Sequence, residues 1–542
     1  MDRGRGGEEL TPGSPDAPGV SARGAGPGTL PPLAGRGARA PRHDLRLVRW
    51  LFLRALGVVL LIAFASLRVQ VLGLVGSDGI LPAQETIEAL RSQLPLARAV
   101  AVLPTLGWIS ASDGALVAFC DLGIASSLLV VAGLATRLAL FACWVLDLSL
   151  YHLGGDFLGF QWDILLLETT FLAWLLAPWT WLERPRGGPP ASRVASWLLR
   201  LLLWKLVFFS GWVKLPYPTW TGLRALDFHY ETQPLPNVVA WWAHRLPHWF
   251  QACSVAATFA VELVAPWLLF AGRRARALGA ASIALLMLLI LATGNYNFFN
   301  LLTIALCITW LDDDLVLGLL PEGMRARLSS GPRPTHPAVG SRTRPRVPPI
   351  ATGVVAVVWL GLLAAQTTAL FIGYGALPGT LRSALVAAQP FALCNSYGLF
   401  RNMTTERDEI EFEASMDGSD WRPYVFRWKP GDPRRAPGWC APHQPRLDWQ
   451  MWFAALSRPQ RETWFRRLVV QLLRGSKPVE SLFESVPFPD APPRFLRARF
   501  WRYRLSTPEE RERDGAWWVR EPLGAYLEPV SLQREASGGP SR

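Results

Sequence analysis

Again and again between Trp50 and Tyr374 the chain enters a long apolar run with almost no charge, and this recurrence limits the fold more than any other feature. Hydrocarbon offers no water to backbone N–H and C=O groups, so a crossing segment must satisfy them within a helix or a closed barrel. A helix needs about 20 residues to span a core about 30 Å thick. Trp50–Leu67, Leu116–Leu134, Leu138–Leu153, Trp162–Leu182, Ala195–Val213, Ala252–Phe270, Leu278–Thr293, Phe298–Leu311 and Ile350–Tyr374 meet or approach that length. They predict an α-helical polytopic membrane bundle of about nine transmembrane helices over residues 46–374. Ala97–Ile109 is too short to cross and is expected to lie at the interface or re-enter. The 26 tryptophans, as many as the phenylalanines, suit aromatic belts at the two membrane surfaces.

Charge orders these spans. With the amino terminus in the cytoplasm, the arginines of the tail, Arg137, Arg184, Arg186, Arg193, the Arg273–Arg276 cluster and the 325–346 stretch all fall on the cytoplasmic side. Only Arg68, Arg91, Arg98, Arg224 and Arg245 fall opposite, an asymmetry in the direction of the positive-inside rule. An odd number of crossings then places everything after Tyr374 on the non-cytoplasmic side. Residues 1–45, rich in Gly, Pro, Ala and Arg, read as a disordered cytoplasmic tail, and 531–542 as a second disordered tail. The net charge of +13 is scattered between apolar runs, so it marks topology rather than a phosphate-binding face, and no nucleic-acid partner is expected.

Residues 375–530 are different material. Glu409–Glu413 alternates as a strand, as do Tyr424–Trp428, Phe495–Leu505 and Trp517–Val519, while Trp464, Leu468, Val469 and Leu472 recur at helical spacing. These predict a β-rich α+β extramembrane domain. Six cysteines are too few for a disulfide scaffold, but Cys394 and Cys440 could pair if this domain meets an oxidising compartment. No Cys/His spacing supports a metal, and no phosphate loop or nucleophile motif appears.

Three groups of residues stand out. Asp163, Glu168, Lys205 and Glu262 are ionisable side chains within the spans, where burial is costly, and mark a polar cavity or intramembrane ion pairs such as Glu168 or Glu262 with Lys205. Asp227, His229, Tyr230, Glu231, Gln233 and Asn237 crowd one loop with groups able to move protons or donate hydrogen bonds, yet no nucleophile with its base assembles locally. Arg446, Asp448, Trp449, Trp452 and Phe453 begin an apolar helix whose aromatics at i, i+3 and i+4 share one face. That face either packs in a core or grips apolar surface of a client.

On the Trp162–Pro178 run, Asp227–Asn237, Gly294–Leu302 with Asp312–Asp313, Lys429–Pro433, Arg446–Ala455, Arg502-Tyr503, Trp517–Arg520 and Gly524–Tyr526, the chain resembles the lipase maturation factor family. The likeness runs from about Trp50 to Tyr526. It implies a multi-pass membrane protein, in animals of the endoplasmic reticulum, that helps dimeric lipases fold, assemble and leave in active form. It also implies that the C-terminal domain binds the client, and it carries no catalytic residue and no cofactor. The lysine-poor, Arg/Ala/Pro-rich composition looks bacterial, which implies a plasma-membrane location. Membrane lipid and an exported client protein, by the resemblance a lipase, are therefore the expected partners. More distantly, the layout resembles the membrane domain of vitamin K-dependent γ-carboxylase, and that alternative would gather His229, Glu231, Glu168 and Lys205 around one lipid-accessible cavity.

Overall fold

Nine helical segments run back and forth through the amino-terminal part of the computed structural model, which describes residues 45–329, 349–457 and 463–532. The predicted tails lie outside the described residues except at Leu45, Ser531 and Leu532, as does most of the 325–346 stretch. The segments are α1 (Arg46–Arg68), α2 (Asp113–Ala132), α3 (Thr136–Gly154), α4 (Gln161–Leu176), α5 (Arg193–Trp212), α6 (His248–Phe259), α7 (Arg273–Thr293), α8 (Phe299–Ile308) and α9 (Pro349–Ile372).

Of the about nine crossings that the sequence predicts, seven helices among the described residues are long and apolar enough to cross a membrane. The two exceptions are α4, with 16 residues, and α8, with 10. Both nevertheless return the chain from one end of the bundle to the other. Arg137 at the start of α3 donates to the Ala177 carbonyl just past α4 at 3.0 Å, and Arg200 near the start of α5 donates to the Thr309 carbonyl just past α8 at 2.8 Å. Twelve of the 16 side chains of α4 are buried, so it packs against protein rather than lipid and has no need of a full bilayer length.

Close approach holds the helices together. A Cβ at Gly123 would sit 2.3 Å from the Phe64 ring, so α1 and α2 meet only because residue 123 has none. At Gly211 of α5 a Cβ would fall 2.8 Å from the Glu262 Cβ. Glu262 itself lies where α6 loses its regularity, in a π-turn over Ala260–Val264 that passes into a 3-10 stretch, Ala265–Phe270, containing Pro266. Proline removes a backbone donor there, and the changed winding absorbs the loss.

One end of the bundle is an arginine end. Glu183 accepts from Arg49 at 3.0 Å and Arg54 at 2.6 Å, Asp313 caps α1 through the Arg46 and Val48 amides at 3.0 Å, and Arg273 pairs with Asp312 at 2.8 Å. The β-rich part is attached at the other end.

There a four-stranded antiparallel sheet has the order β2-β1-β5-β6, with β1 at Arg407–Ser415, β2 at Arg422–Pro423, β5 at Phe495–Leu505 and β6 at Trp518–Val530. The predicted alternation holds in β1 and β5. Ile410, Phe412 and Ala414 turn inward, and Phe412 stacks on Phe465 of the amphipathic helix Thr463–Arg474 at 5.3 Å. On the opposite face Glu413 faces Arg497 in register and pairs with it at 2.6 Å. The strand predicted over Tyr424–Trp428 shortens to β3, Val425–Phe426, paired with β4, Phe483–Ser485. The Trp428 amide leaves the ladder to donate to Asp448.

Candidate functional site

Burying a charge without a partner is expensive, so the fate of each intramembrane ion shows what the bundle is built to hold. All four ions singled out in the sequence have partners, and two of those partnerships join the bundle to the chain beyond α9.

Asp163, at the start of α4, binds Arg446 through both oxygens: Nη2 donates to Oδ1 at 2.8 Å and Nη1 to Oδ2 at 3.1 Å. Nη1 also reaches the Phe157 carbonyl at 2.6 Å. The chain leading to Arg446 is threaded into the bundle end. Asn295 Oδ1 accepts from the Cys440 and Ala441 amides, Ser66 meets His443 Nδ1 at 2.8 Å, and Gln70 clamps the Gln444 carbonyl and the Arg446 amide. The Arg446–Ala455 helix thus seats most of this aromatic face in the end of the bundle. Arg446, Asp448 and Trp449 are buried, and Trp449 packs against Trp162 at 4.8 Å and Tyr296 at 6.1 Å. Trp452 is half-buried and donates to the Thr232 carbonyl, leaving only Phe453, at 40%, exposed among the five residues proposed for the client. Asp448 holds the Lys429–Pro433 turn by accepting from the Trp428 and Lys429 amides at 2.9 and 3.0 Å.

Glu168 is the second node. It accepts from Lys205 at 2.5 Å, Trp359 of α9 at 3.1 Å, the Asn395 amide and side chain at 3.0 Å each, and the Tyr397 hydroxyl at 2.6 Å. Cys394 sits beside the same ammonium and bonds Gln366, while Cys440 lies at Asn295, so the two cysteines that could have paired do not, and both thiols are free. Each is sealed in a different packing environment, and burial pushes the Cys394 thiol up to about 12.

Glu262 finds Lys214, not Lys205, at 2.5 Å, and the Lys214 ammonium also lies over the Trp220 ring at 4.8 Å. Close by, the motif loop proves to contain a helix, Ala225–Thr232, whose side chains diverge. His229 Nε2 donates to the Tyr296 hydroxyl, which donates onward to Gln233 Oε1 at 2.8 Å. Asn237 caps the next helix at the Ala240 amide, Tyr230 is buried, and Asp227 pairs with His248 at 3.0 Å. Glu231 turns to the β-rich part and accepts from the Leu505 amide at 2.8 Å. The four groups of the enzyme alternative therefore do not converge: Glu168 and Lys205 share one node, His229 belongs to Tyr296, and Glu231 to β5. Among the described residues no three His, Cys, Asp or Glu side chains gather as metal ligands.

A fourth node escapes a reading of the sequence. Arg407 donates to the Glu231, Gln233 and Pro234 carbonyls at 2.8, 2.5 and 3.0 Å, and Glu409 neutralises both Arg407 at 2.6 Å and Lys429 at 2.9 Å. In the sequence Glu409 shows only as one tooth of an alternating strand. The scarcity of lysine, with Lys429 one of four in the chain, is the available signal.

Two histidines make these attachments sensitive to pH. Burial, with Lys214 adding, holds His229 down to about 4, and burial, with Arg446 and Arg427 adding, holds His443 there too. An unfolded histidine titrates near 6.5. Their contribution is therefore complete above about 6.5 and is lost as the pH falls from there towards 4. Thermal melts of the detergent-solubilised protein should drop between pH 7 and pH 5; a melting point that rises over that interval contradicts the assignment.

Comparison with known proteins bears on the whole chain. Residues 47–318 match the lipase maturation factor transmembrane domain and residues 393–528 the lipase maturation factor C-terminal domain. Lipase maturation factor 2 of Mus musculus is 36% identical over 90% of this chain and 83% of its own length. Lipase maturation factor 1 of Bos taurus is 35% identical over 94% of this chain and 93% of its own, and that of Homo sapiens 33% over 93% and 92%. No solved structure matches.

Proposed function

The chain belongs to the lipase maturation factor family, and from that premise we propose that it is a membrane-embedded maturation factor which helps exported proteins, lipases among them, reach an active fold. One observation carries this reading furthest. The β-rich part is fastened at the end of the bundle opposite the arginines, where Arg446 pairs with the buried Asp163, the Leu505 amide donates to Glu231 and Asn295 donates to the Gly438 carbonyl. A folding factor that meets clients as they leave the membrane needs such a fixed platform at the exit surface. With the arginine end in the cytoplasm by the positive-inside rule, the platform faces outward. The pairing of the polar groups with one another suits a holding role better than a reacting one.

The test is co-expression with a dimeric lipase. The specific activity of the exported lipase should rise several-fold over cells lacking the chain, with lipase synthesis unchanged. Equal activity in the two strains overturns the reading.

A further inference from the structure

A cleft of about 420 Å³ opens where the bundle's outer loop meets the β-rich part, lined by Trp241 and Trp242 on one side and Arg511, Glu512 and Trp517 on the other. None of these residues belongs to the nodes above. Trp241 is the floor: it is 1% exposed, yet its indole N–H has no acceptor. Arg245 covers its ring at 3.9 Å. Arg511 lies 3.7 Å from the Trp517 ring and 4.9 Å from that of Trp241. Trp242, 59% exposed, forms the open wall.

A guanidinium stacked on indoles keeps its in-plane N–H edge available, and that edge matches a carboxylate. The buried Trp241 N–H asks for an acceptor as well, because an unmet donor is costly when desolvated. The indole walls ask for flat apolar matter. Glu512 on the rim suits a peptide N–H and opposes a lipid phosphate. We propose that this cleft binds an extended segment of an exported chain in which an acidic side chain adjoins an aromatic one. The carboxylate sits on Arg511, the aromatic ring lies against Trp242, and a main-chain carbonyl takes the Trp241 N–H. This specifies the client contact of the function proposed above and rests on it.

The experiment uses the full chain in nanodiscs and a fluorescent eight-residue peptide containing Asp-Trp, beside the same peptide with Lys for Asp. The Asp peptide should bind more tightly, and Arg511→Gln should weaken it about ten- to a hundredfold, as loss of a charge-assisted hydrogen bond does. Trp242→Ala, at an exposed position, should weaken both peptides. Equal binding of the two peptides, or an unchanged affinity in Arg511→Gln, overturns the proposal. So does an affinity that follows the phosphatidylglycerol content of the nanodiscs rather than the peptide, which would make the cleft a lipid site. Lipase recovery measured on the same variants separates the two readings. Recovery in the parent that Arg511→Gln leaves intact sinks the cleft and spares the function, whereas no recovery in the parent sinks the function itself.

Discussion

Arg446→Ala should loosen the β-rich part from the bundle and lower stability by about 3–5 kcal/mol, the range for removing one partner of a buried ion pair. The substitution deletes three charge-assisted contacts, two to Asp163 and one to the Phe157 carbonyl. It also strands Asp163 in a buried site near Asp147, one of whose oxygens already lacks a partner. Arg446→Lys keeps the charge but not the two-pronged fork, so it should recover only part of the loss. Arg446→Met with Asp163→Asn, which leaves no stranded ion, should be less damaged than Arg446→Ala alone. Melting of the purified protein and tryptic cutting within 427–446 report the effect. A single variant that melts and is cut like the parent shows that the Arg446–Ala455 helix is held by something other than this pair.

What is legible in the chain and what is not divide along a physical line. The long spans are legible because hydrocarbon forces each crossing to be an apolar helix, whatever its neighbours. The same rule overstates the lengths of α4 and α8, since a segment enclosed by protein is released from the bilayer's length. Alternation exposes β1 and β5, because a half-buried strand must repeat every second residue. The Arg446–Leu456 segment shows the limit. Spacing establishes that Trp449, Trp452 and Phe453 share a face but not what covers it, and the cover comes from Phe160 and Trp162, far away in the chain. Ion pairs have the same limit. Lys205 does meet Glu168, one of the two partners expected for it, yet Glu262 goes to Lys214 and Asp163 to an arginine 283 positions on. The Asp227–Asn237 loop shows in its residue types only groups able to move protons or donate hydrogen bonds, not where they point. Only the directions of the side chains, outward from a short helix into three separate contacts, show that they fasten parts together.

Replacing Glu168 by Gln should be as severe as the Arg446 change, and its signature should appear elsewhere. Lys205 and Glu168 are both 0% exposed, so the neutral amide leaves a buried ammonium without its counter-ion, at a cost of about 3–5 kcal/mol. Glu168 also gathers Trp359 of α9 and Asn395 and Tyr397 of the chain beyond it. Its loss should therefore free the segment that holds Cys394, a thiol sealed beside Lys205 in the parent. In a background with the exposed Cys253 replaced by Ser, maleimide should label Glu168→Gln at residue 394 many times faster than the parent. Adding Lys205→Met removes the stranded charge and should restore much of the stability. A neutral amide oxygen accepts from Tyr397 and Asn395 more weakly than the carboxylate does, so labelling should stay faster than in the parent in the double variant. The two readouts thus separate charge balance from anchoring. Labelling in Glu168→Gln as slow as in the parent would show that the carboxylate does not anchor the segment after α9.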